Sequence, residues 1–272
     1  MLFVRERWRV AVLDSGLRDA SARRDRAASF DTVAAREPAA ARNPGVLSAP
    51  VAACRFIDDG RTVVCSEAVA DPIGHGTSVA EVICGNRNTA RGCDLFVGQV
   101  LDQHGVTTAA ALAAAIDWSV REGVDLIHMS LGLREERQIL AEAVAAAMGA
   151  GCIIVASTPA RGEGTYPARY PGVIRATGDA RCQWDEISDL HSAQADFGGC
   201  PRHASGASTP DSPRLGGASL GAAHVTRFLV EQVAAGLDVV AARAGLRARA
   251  RYAGVEVRGA PVAANFRVLR EI

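Results

Sequence analysis

Apolar positions along the chain fall into two kinds of run, and these alternate. In the first kind the apolar residues are continuous, which predicts strands buried on both faces of a sheet. Such strands are expected at residues 8–14, 54–58, 94–102, 124–132, 152–157 and 172–178. In the second kind the apolar residues recur every three or four positions, which predicts helices. Helices are expected just after residue 75 and over residues 107–123, 134–151 and 217–236.

The alternation of buried strands with helices predicts an α/β fold: a mostly parallel, twisted sheet with helices on both faces. We expect a single domain over residues 1–272. Residues 18–52, rich in Ala, Arg and Pro, are expected to form a surface insertion, and an arginine-rich extension starts at about 237. Arg243, Arg247, Arg249 and Arg251 in that extension fit a solvated helix face, or a basic patch for an acidic partner.

Charge and motif content exclude several classes of function. Thirty basic and thirty acidic residues cancel, so there is no electrostatic signature of nucleic-acid or membrane binding. No apolar run approaches the roughly 18 residues of a membrane span, and no signal peptide is recognised. The first strand is not followed by a glycine-rich phosphate loop, which argues against a nucleotide-binding protein.

The seven cysteines form no CxxC pair, and several lie in apolar runs. We therefore expect reduced thiols in a cytoplasmic protein. No carboxylate spacing is typical of a calcium loop, so neither a metal nor another cofactor is expected. Asp58 and Asp59 are interpreted as part of a plain turn.

Three fragments carry residues of one catalytic chemistry: "AVLDSG" with Asp14, "GHGTSVAEVICG" with His75 and "GGASLGAAHV" with Ser219. Asp14 ends a predicted strand, at the sheet edge where α/β active sites lie, although a turn or capping carboxylate fits there as well. His75 and Ser219 each open a predicted helix. A carboxylate, an imidazole and a hydroxyl in this order along the chain fit an acid, base and nucleophile triad.

These fragments resemble the subtilisin family of serine proteases. "VLDSG" corresponds to the family's D-[ST]-G, "GHGTSVA" to HGT-x-[VC]-A and "GASLGAAHV" to GTSMAxPHV. Two further segments, "VDLIHMSLG" and "YPARYPGVIRATG", match the family's VINMSLG and YPAxYPxVIxVG. The resemblance covers roughly residues 8 to 235 and implies a subtilisin-like three-layer sandwich.

The resemblance also implies roles for individual residues. Ser219 would be the nucleophile, His75 the general base and then acid, and Asp14 the orienting carboxylate. The segment Ser130, Leu131 and Gly132 would line the cleft and pair with the substrate's backbone. The substrate would be a polypeptide, with the S1 walls near 130–133 and 156–164. The other histidines are interpreted as packing residues: His104, His128, His191, His203 and His224.

One departure from the family concerns the oxyanion site. The family places an Asn side chain there, and Ala160 stands at the matching position of "VASTPARG". The backbone N–H of Ser219 would remain as one donor, and Thr158 or Ser157 could supply a hydroxyl. Loss of one such donor costs about 10²- to 10³-fold in turnover, a magnitude that comes from subtilisin itself. Two interpretations follow: a slow, dedicated protease, or a pseudoprotease that binds peptides without cleaving them.

A second departure is the short stretch before the first strand, from which we expect the family's pro-segment to be lacking. It favours an intracellular endopeptidase for limited processing, such as removal of a leader from a ribosomally made precursor or a small enzyme subunit. In size and in the expected lack of a pro-segment the chain resembles the proteases that mature the small subunit of quinohemoprotein amine dehydrogenases. Arg161 and Glu163 could influence the S1 pocket or point into water.

Overall fold

A computed structural model of the chain describes residues 7–18, 47, 49–67, 69–85, 93–202, 216–234 and 239–256. Most of the insertion expected at 18–52 lies outside these residues, as does the end of the chain after 256. Within the described residues, no helix is long and apolar enough to cross a membrane.

Ten strands form one sheet, and five helices accompany it among the described residues. The strands are β1 (Trp8–Asp14), β2 (Ala52–Asp58), β3 (Val63–Ser66), β4 (Cys93–Gln99), β5 (Leu126–Met129), β6 (Ile153–Ser157), β7 (Ile174–Gly178), β8 (Ile187–Asp189), β9 (Phe197–Gly199) and β10 (Tyr252–Ala253). The helices are α1 (His75–Cys84), α2 (Ala109–Arg121), α3 (Gln138–Gly149), α4 (Ala218–Ala234) and α5 (Val239–Arg249). The strand order is β10-β8-β9-β7-β6-β5-β1-β4-β2-β3. All pairings are parallel except β2 with β3 and β8 with β9.

β1 lies at the centre of the sheet, between β4 and β5. Its residues from Val10 to Asp14 are buried because helices cover both faces. Val10 and Val12 face one hydrophobic cluster, which also contains residues of α1, α4 and α5. Ala11 and Leu13 face a second cluster, which contains residues of α2 and α3. The predicted α/β sandwich is confirmed, and its central strand ends at Asp14.

The long predicted elements are confirmed to within a few residues, because each buries a full apolar face. The elements without a predicted counterpart are β3, β8, β9 and β10. They have four residues or fewer, too few for a recognisable period. The arginine-rich extension contains α5, whose Leu246 is buried while Arg247 and Arg249 are exposed.

The expectation that all cysteines are free thiols is wrong for one pair. A disulfide joins Cys54 of β2 to Cys65 of β3, because the antiparallel hairpin brings their Cα atoms to 6.0 Å. The other five cysteines are free and buried. Among these, the sulfur atoms of Cys84 and Cys93 lie 2.8 Å apart. The sequence did not indicate either contact, since the first depends on how β2 pairs with β3 and the second on how the end of α1 meets the start of β4.

Candidate active site

Asp14 and His75 meet at the carboxyl end of the central strand. Asp14 is fully buried, and its Oδ1 atom lies 2.7 Å from Nδ1 of His75. The same oxygen accepts the backbone N–H of Ser15, while Oδ2 has no partner among the described residues. Because a carboxylate can only accept, Nδ1 of His75 carries the proton, and Nε2 is left as the acceptor in the neutral ring. The ring is held in the tautomer that a general base needs.

A second carboxylate, Asp71, organises the start of α1. Its Oδ1 accepts the backbone N–H of Gly74 and the hydroxyl of Ser15, and its Oδ2 accepts the backbone N–H of Thr77. Ser15 in turn accepts the N–H of Gly76. These bonds satisfy amides in the first turn of α1 that have no carbonyl partner within the helix. Asp71 and Ser15 therefore fix the helix end on which His75 stands.

The electrostatic surroundings raise the pKa of His75 above its ordinary value of 6.5. Burial of the imidazole is the largest single influence, and it lowers the pKa. The charge of Asp14, its hydrogen bond and the charge of Asp71 act in the opposite direction and together outweigh burial. The protonated ring is thus favoured beside the two carboxylates.

Ser219 lies in the first turn of α4 and is tied to the end of β5. Its Oγ donates to the carbonyl oxygen of Ser130 at 3.2 Å, and Oγ of Ser130 donates to the carbonyl oxygen of Ser219 at 3.0 Å. Among the described residues, no hydrogen bond joins Oγ of Ser219 to His75. The backbone N–H of Ser219 belongs to the helix end where amides lack intrahelical partners. An oxyanion could accept this N–H.

The segment after Ser130 runs beside the loop that precedes β7. Leu133 and Tyr166 form an antiparallel bridge with backbone hydrogen bonds of 2.7 and 2.8 Å. Gly132 lies against Thr165, and a Cβ at Gly132 would overlap the Thr165 side chain. Leu131 and Gly132 remain partly or fully accessible to solvent. An extended peptide could therefore reach the backbone of Leu131 and Gly132.

The loop after β6 contains the residues considered for the oxyanion. Thr158 is buried, and its Oγ1 has no hydrogen-bond partner among the described residues. Ser157 is also buried, whereas Ala160 is exposed. Arg161 and Glu163 are exposed to solvent.

The remaining histidines do not all behave as packing residues. His224 does: it is buried and its ring contacts Trp184. For His104 and His191 the packing interpretation is wrong, since both side chains are exposed on loops and His191 pairs with Asp189. His128 is buried but takes part in hydrogen bonds at both ring nitrogens. His203 lies outside the described residues.

Within the described part of the chain, no group of three or more His, Cys, Asp or Glu side chains could hold a metal ion. Asp58 and Asp59 form the expected turn, because their carboxylates accept backbone N–H groups of residues 60 to 62.

The sequence did not single out Asp71, Ser15 or Thr226, although two of these had a readable signal. Asp71 stands four residues before His75, where an acceptor can satisfy the first amides of a helix. Ser15 follows Asp14 directly. Thr226 had no such signal, because it meets His128 only through the packing of α4 against the sheet.

Comparison with known proteins agrees with this geometry. The sequence profile of the subtilase family matches residues 7–235. The thermostable alkaline protease of Halalkalibacterium halodurans is 35% identical over 127 residues, which cover 43% of this chain and 35% of that protein. The minor extracellular protease Epr of Bacillus subtilis is 35% identical over 114 residues, covering 38% and 18%. Subtilisin DY of Bacillus licheniformis is 31% identical over 146 residues, covering 48% and 53%. Each match thus spans less than two thirds of the relative's length.

Proposed function

The chain belongs to the subtilase family, and from this we propose that it is a serine endopeptidase that cleaves peptide bonds through an acyl-enzyme. Ser219 is the nucleophile, His75 the general base and then acid, and Asp14 the residue that orients and stabilises the imidazole. The observation that carries the proposal is the 2.7 Å contact between Nδ1 of His75 and the fully buried carboxylate of Asp14. A buried carboxylate facing a partly exposed imidazole is the arrangement of the orienting residue and the base in a catalytic triad.

In this mechanism Oγ of Ser219 turns from the carbonyl of Ser130 toward Nε2 of His75. Its proton passes to Nε2 as Oγ attacks the substrate's carbonyl carbon, and the imidazolium is stabilised by Asp14. The imidazolium then gives this proton to the leaving amine, and the peptide bond breaks. Water adds to the acyl-enzyme with His75 again as base, which releases the acid and restores Ser219.

The negative charge on the tetrahedral intermediate needs donors. The backbone N–H of Ser219 supplies one of them. The hydroxyl of Thr158 is proposed as the second, supported by its burial without a partner in the loop that holds Ala160. Leu131 and Gly132 bind the backbone of the substrate as an added strand, with Ser130 at the start of this segment.

The finer role proposed is limited processing, such as removal of a leader from a ribosomally made precursor or a small enzyme subunit. The support is Ala160, which stands where the family has an oxyanion-binding Asn. Loss of that donor lowers turnover, which suits an enzyme dedicated to one tightly bound substrate better than a digestive protease. The cytoplasm is proposed as its setting. Five free thiols support this setting, while the Cys54–Cys65 disulfide is more typical of oxidising compartments.

The test of the activity is labelling with a fluorophosphonate, located by peptide mass spectrometry. We expect label on Ser219 and none in Ser219→Ala. Ser192→Ala is the matched control, because it removes a hydroxyl from the turn between β8 and β9 and should label like wild type. For the finer role, the protein is incubated with a leader-bearing precursor, and a leader that stays intact after long incubation would discard it.

The second candidate is a peptide-binding pseudoprotease. It is favoured by Ala160 and by the Ser219 hydroxyl, which bonds to Ser130 and not to His75. This candidate predicts no labelling at Ser219 but retained binding of an extended peptide, measured by fluorescence anisotropy. Labelling that depends on Ser219 would rule it out.

A further inference from the structure

A chain of buried hydrogen bonds leads from α4 through β5 to Ser219. His128 is fully buried in β5, with Nδ1 2.8 Å from Oγ1 of Thr226 and Nε2 2.7 Å from Oγ of Ser130. Oγ of Ser130 lies 3.0 Å from the carbonyl oxygen of Ser219. Thr226 and Ser219 both belong to α4, so the chain begins and ends on the same helix.

The direction of every bond in this chain is determined by its last acceptor. The carbonyl oxygen of Ser219 can only accept, so the single hydroxyl proton of Ser130 is used there. Ser130 must then accept a proton from Nε2 of His128. A neutral imidazole with its proton on Nε2 has a bare Nδ1, which accepts the hydroxyl proton of Thr226. His128 is thereby confined to one tautomer.

We propose that His128, in the tautomer protonated at Nε2, is a positioning residue for the nucleophile. It orients Ser219 through the hydroxyl of Ser130. This inference rests on the proposed endopeptidase function. Because His128 fixes the Ser130 hydroxyl, it fixes the carbonyl group of Ser219 and with it the peptide plane beside the nucleophile. Before Oγ of Ser219 turns toward His75, it donates to the Ser130 carbonyl, which makes the bonding between Ser130 and Ser219 reciprocal. These two bonds hold Ser219 in a fixed position relative to Ser130, where the substrate-binding segment begins.

His128 transmits orientation and no proton. Burial and then the charge of His75 lower the pKa of His128 to about 3, so its ring is neutral wherever the enzyme would work. It therefore does not compete with His75 as a base. A neutral ring also leaves no buried charge behind the nucleophile.

His224 provides the internal contrast. It is equally buried, and burial followed by the charge of Arg227 lowers its pKa to about 3 as well. However, neither of its ring nitrogens has a partner among the described residues, and its ring contacts Trp184. Burial alone therefore does not supply a buried histidine of this fold with hydrogen bonds. The three bonds around His128 and Ser130 form a polar network in which every member is satisfied.

The tautomer can be measured without any activity. In protein labelled with ¹⁵N-histidine, the His128 signals are assigned by their loss in His128→Gln. We expect one neutral ring with the proton on Nε2 and a hydrogen-bonded, unprotonated Nδ1, unchanged between about pH 5 and pH 9. A ring protonated at Nδ1, or a mixture of tautomers, would overturn the proposal.

Kinetics separate positioning from packing. His128→Leu should slow fluorophosphonate labelling and turnover of a peptide ester about 10- to 100-fold, with KM within about twofold, because a buried hydroxyl loses its partner. His128→Gln can still donate to Ser130 and should recover most of that loss. Thr226→Val, which removes the donor to Nδ1, should slow labelling several-fold, while Thr226→Ser should not.

Two controls complete the experiment. His224→Gln changes an equally buried histidine outside the chain and should label within about threefold of wild type, whatever it does to thermal stability. If His128→Leu and His128→Gln label equally fast at equal stability, the positioning role is wrong. If wild type itself does not label, the endopeptidase proposal fails, and the tautomer measurement still decides the geometry of His128.

Discussion

Gly76 packs against the end of the first strand so closely that a Cβ atom there would overlap the carbonyl oxygen of Gly16 and lie 3.2 Å from Cβ of Asp14. The residue after His75 is thus without a side chain because α1 begins directly on top of the strand that ends at Asp14. This close approach is what allows the imidazole of His75 to reach the carboxylate of Asp14.

Gly76→Ala should therefore separate His75 from Asp14. We expect labelling of Ser219 to slow at least about tenfold, and the free energy of unfolding to fall by about 1–3 kcal/mol, as for other overpacked sites. Gly149→Ala is the matched control, since a Cβ there meets nothing within 4 Å at the end of α3. Normal labelling in Gly76→Ala would mean that the contact between α1 and β1 does not set the His75 geometry.

The raised pKa of His75 predicts the pH dependence of activity. Because the base must be neutral, kcat/KM should rise with pH along a limb centred above 6.5. Asp71→Asn removes a charge that raises this pKa, so the limb should move to lower pH. Asp59→Asn, which removes an exposed turn carboxylate, should leave it in place. An unmoved limb in Asp71→Asn would contradict the electrostatic argument.

The same pKa predicts a pH dependence of stability. The folded state favours protonated His75, so this contribution to the free energy of unfolding is full below the ordinary pKa of 6.5. It is lost as the pH rises through the raised value. Urea titrations of wild type and His75→Gln on both sides of this window should differ more at the acid side.

Thr158→Val distinguishes an oxyanion donor from a structural hydroxyl. If the hydroxyl stabilises the intermediate, kcat should fall about 10²-fold with little change in KM. Thermal stability should stay level or rise, because a buried hydroxyl without a partner is replaced by a methyl group. Thr158→Ser keeps the hydroxyl and serves as the control. If kcat is unchanged in Thr158→Val, Thr158 is not an oxyanion donor, and the backbone N–H of Ser219 is the one proposed donor that remains.

Gly132→Ala should disturb the substrate-binding segment, because the new Cβ overlaps the Thr165 side chain. We expect a higher KM for extended peptides and a smaller effect on labelling by a small fluorophosphonate. Adding Thr165→Gly removes the overlap and should restore KM. A double variant no better than Gly132→Ala would show that Gly132 is required for another reason.

The Cys54–Cys65 disulfide can be counted directly. Unfolded, unreduced protein should show five thiols, and reduced protein seven. A count of three would mean that Cys84 and Cys93 are joined as well. Reduction should lower the free energy of unfolding by about 2–3 kcal/mol, as expected for a loop of this size. Cys54→Ala with Cys65→Ala should make the protein insensitive to the reductant.

The sequence predicted the parts of this molecule that depend on local pattern. Asp14 could be placed at a strand end because it follows a continuous apolar run. His75 and Ser219 could be placed at helix starts because each precedes a run with helical apolar spacing. The family motifs supplied the roles, which stay predictions until Ser219 is tested. The order of strands in the sheet could not be predicted, because it depends on which strands pair, and several pairs, such as β1 with β4, are far apart in the chain.

What could not be predicted depends on register across the sheet and between the sheet and α4. His128 contacts Thr226, which lies 98 positions away in the sequence, and no local pattern around either residue indicates the contact. Its place in a predicted apolar strand favoured a packing role. The residue is indeed buried, but its two hydrogen bonds were not predicted. The Cys54–Cys65 bond was missed for the same reason, since β3 is too short to predict.

Within the part of the chain that the structure describes, the two edge strands of the sheet are short: β3 has four residues and β10 has two. A long, flat sheet edge presents unpaired backbone groups on which another polypeptide can build, the first step of aggregation. The proposed substrates are themselves extended polypeptides that could pair with such an edge. With edge strands this short, the described part of the sheet offers another chain few backbone groups to pair with, so a peptide that binds as a strand is expected at Leu131 and Gly132.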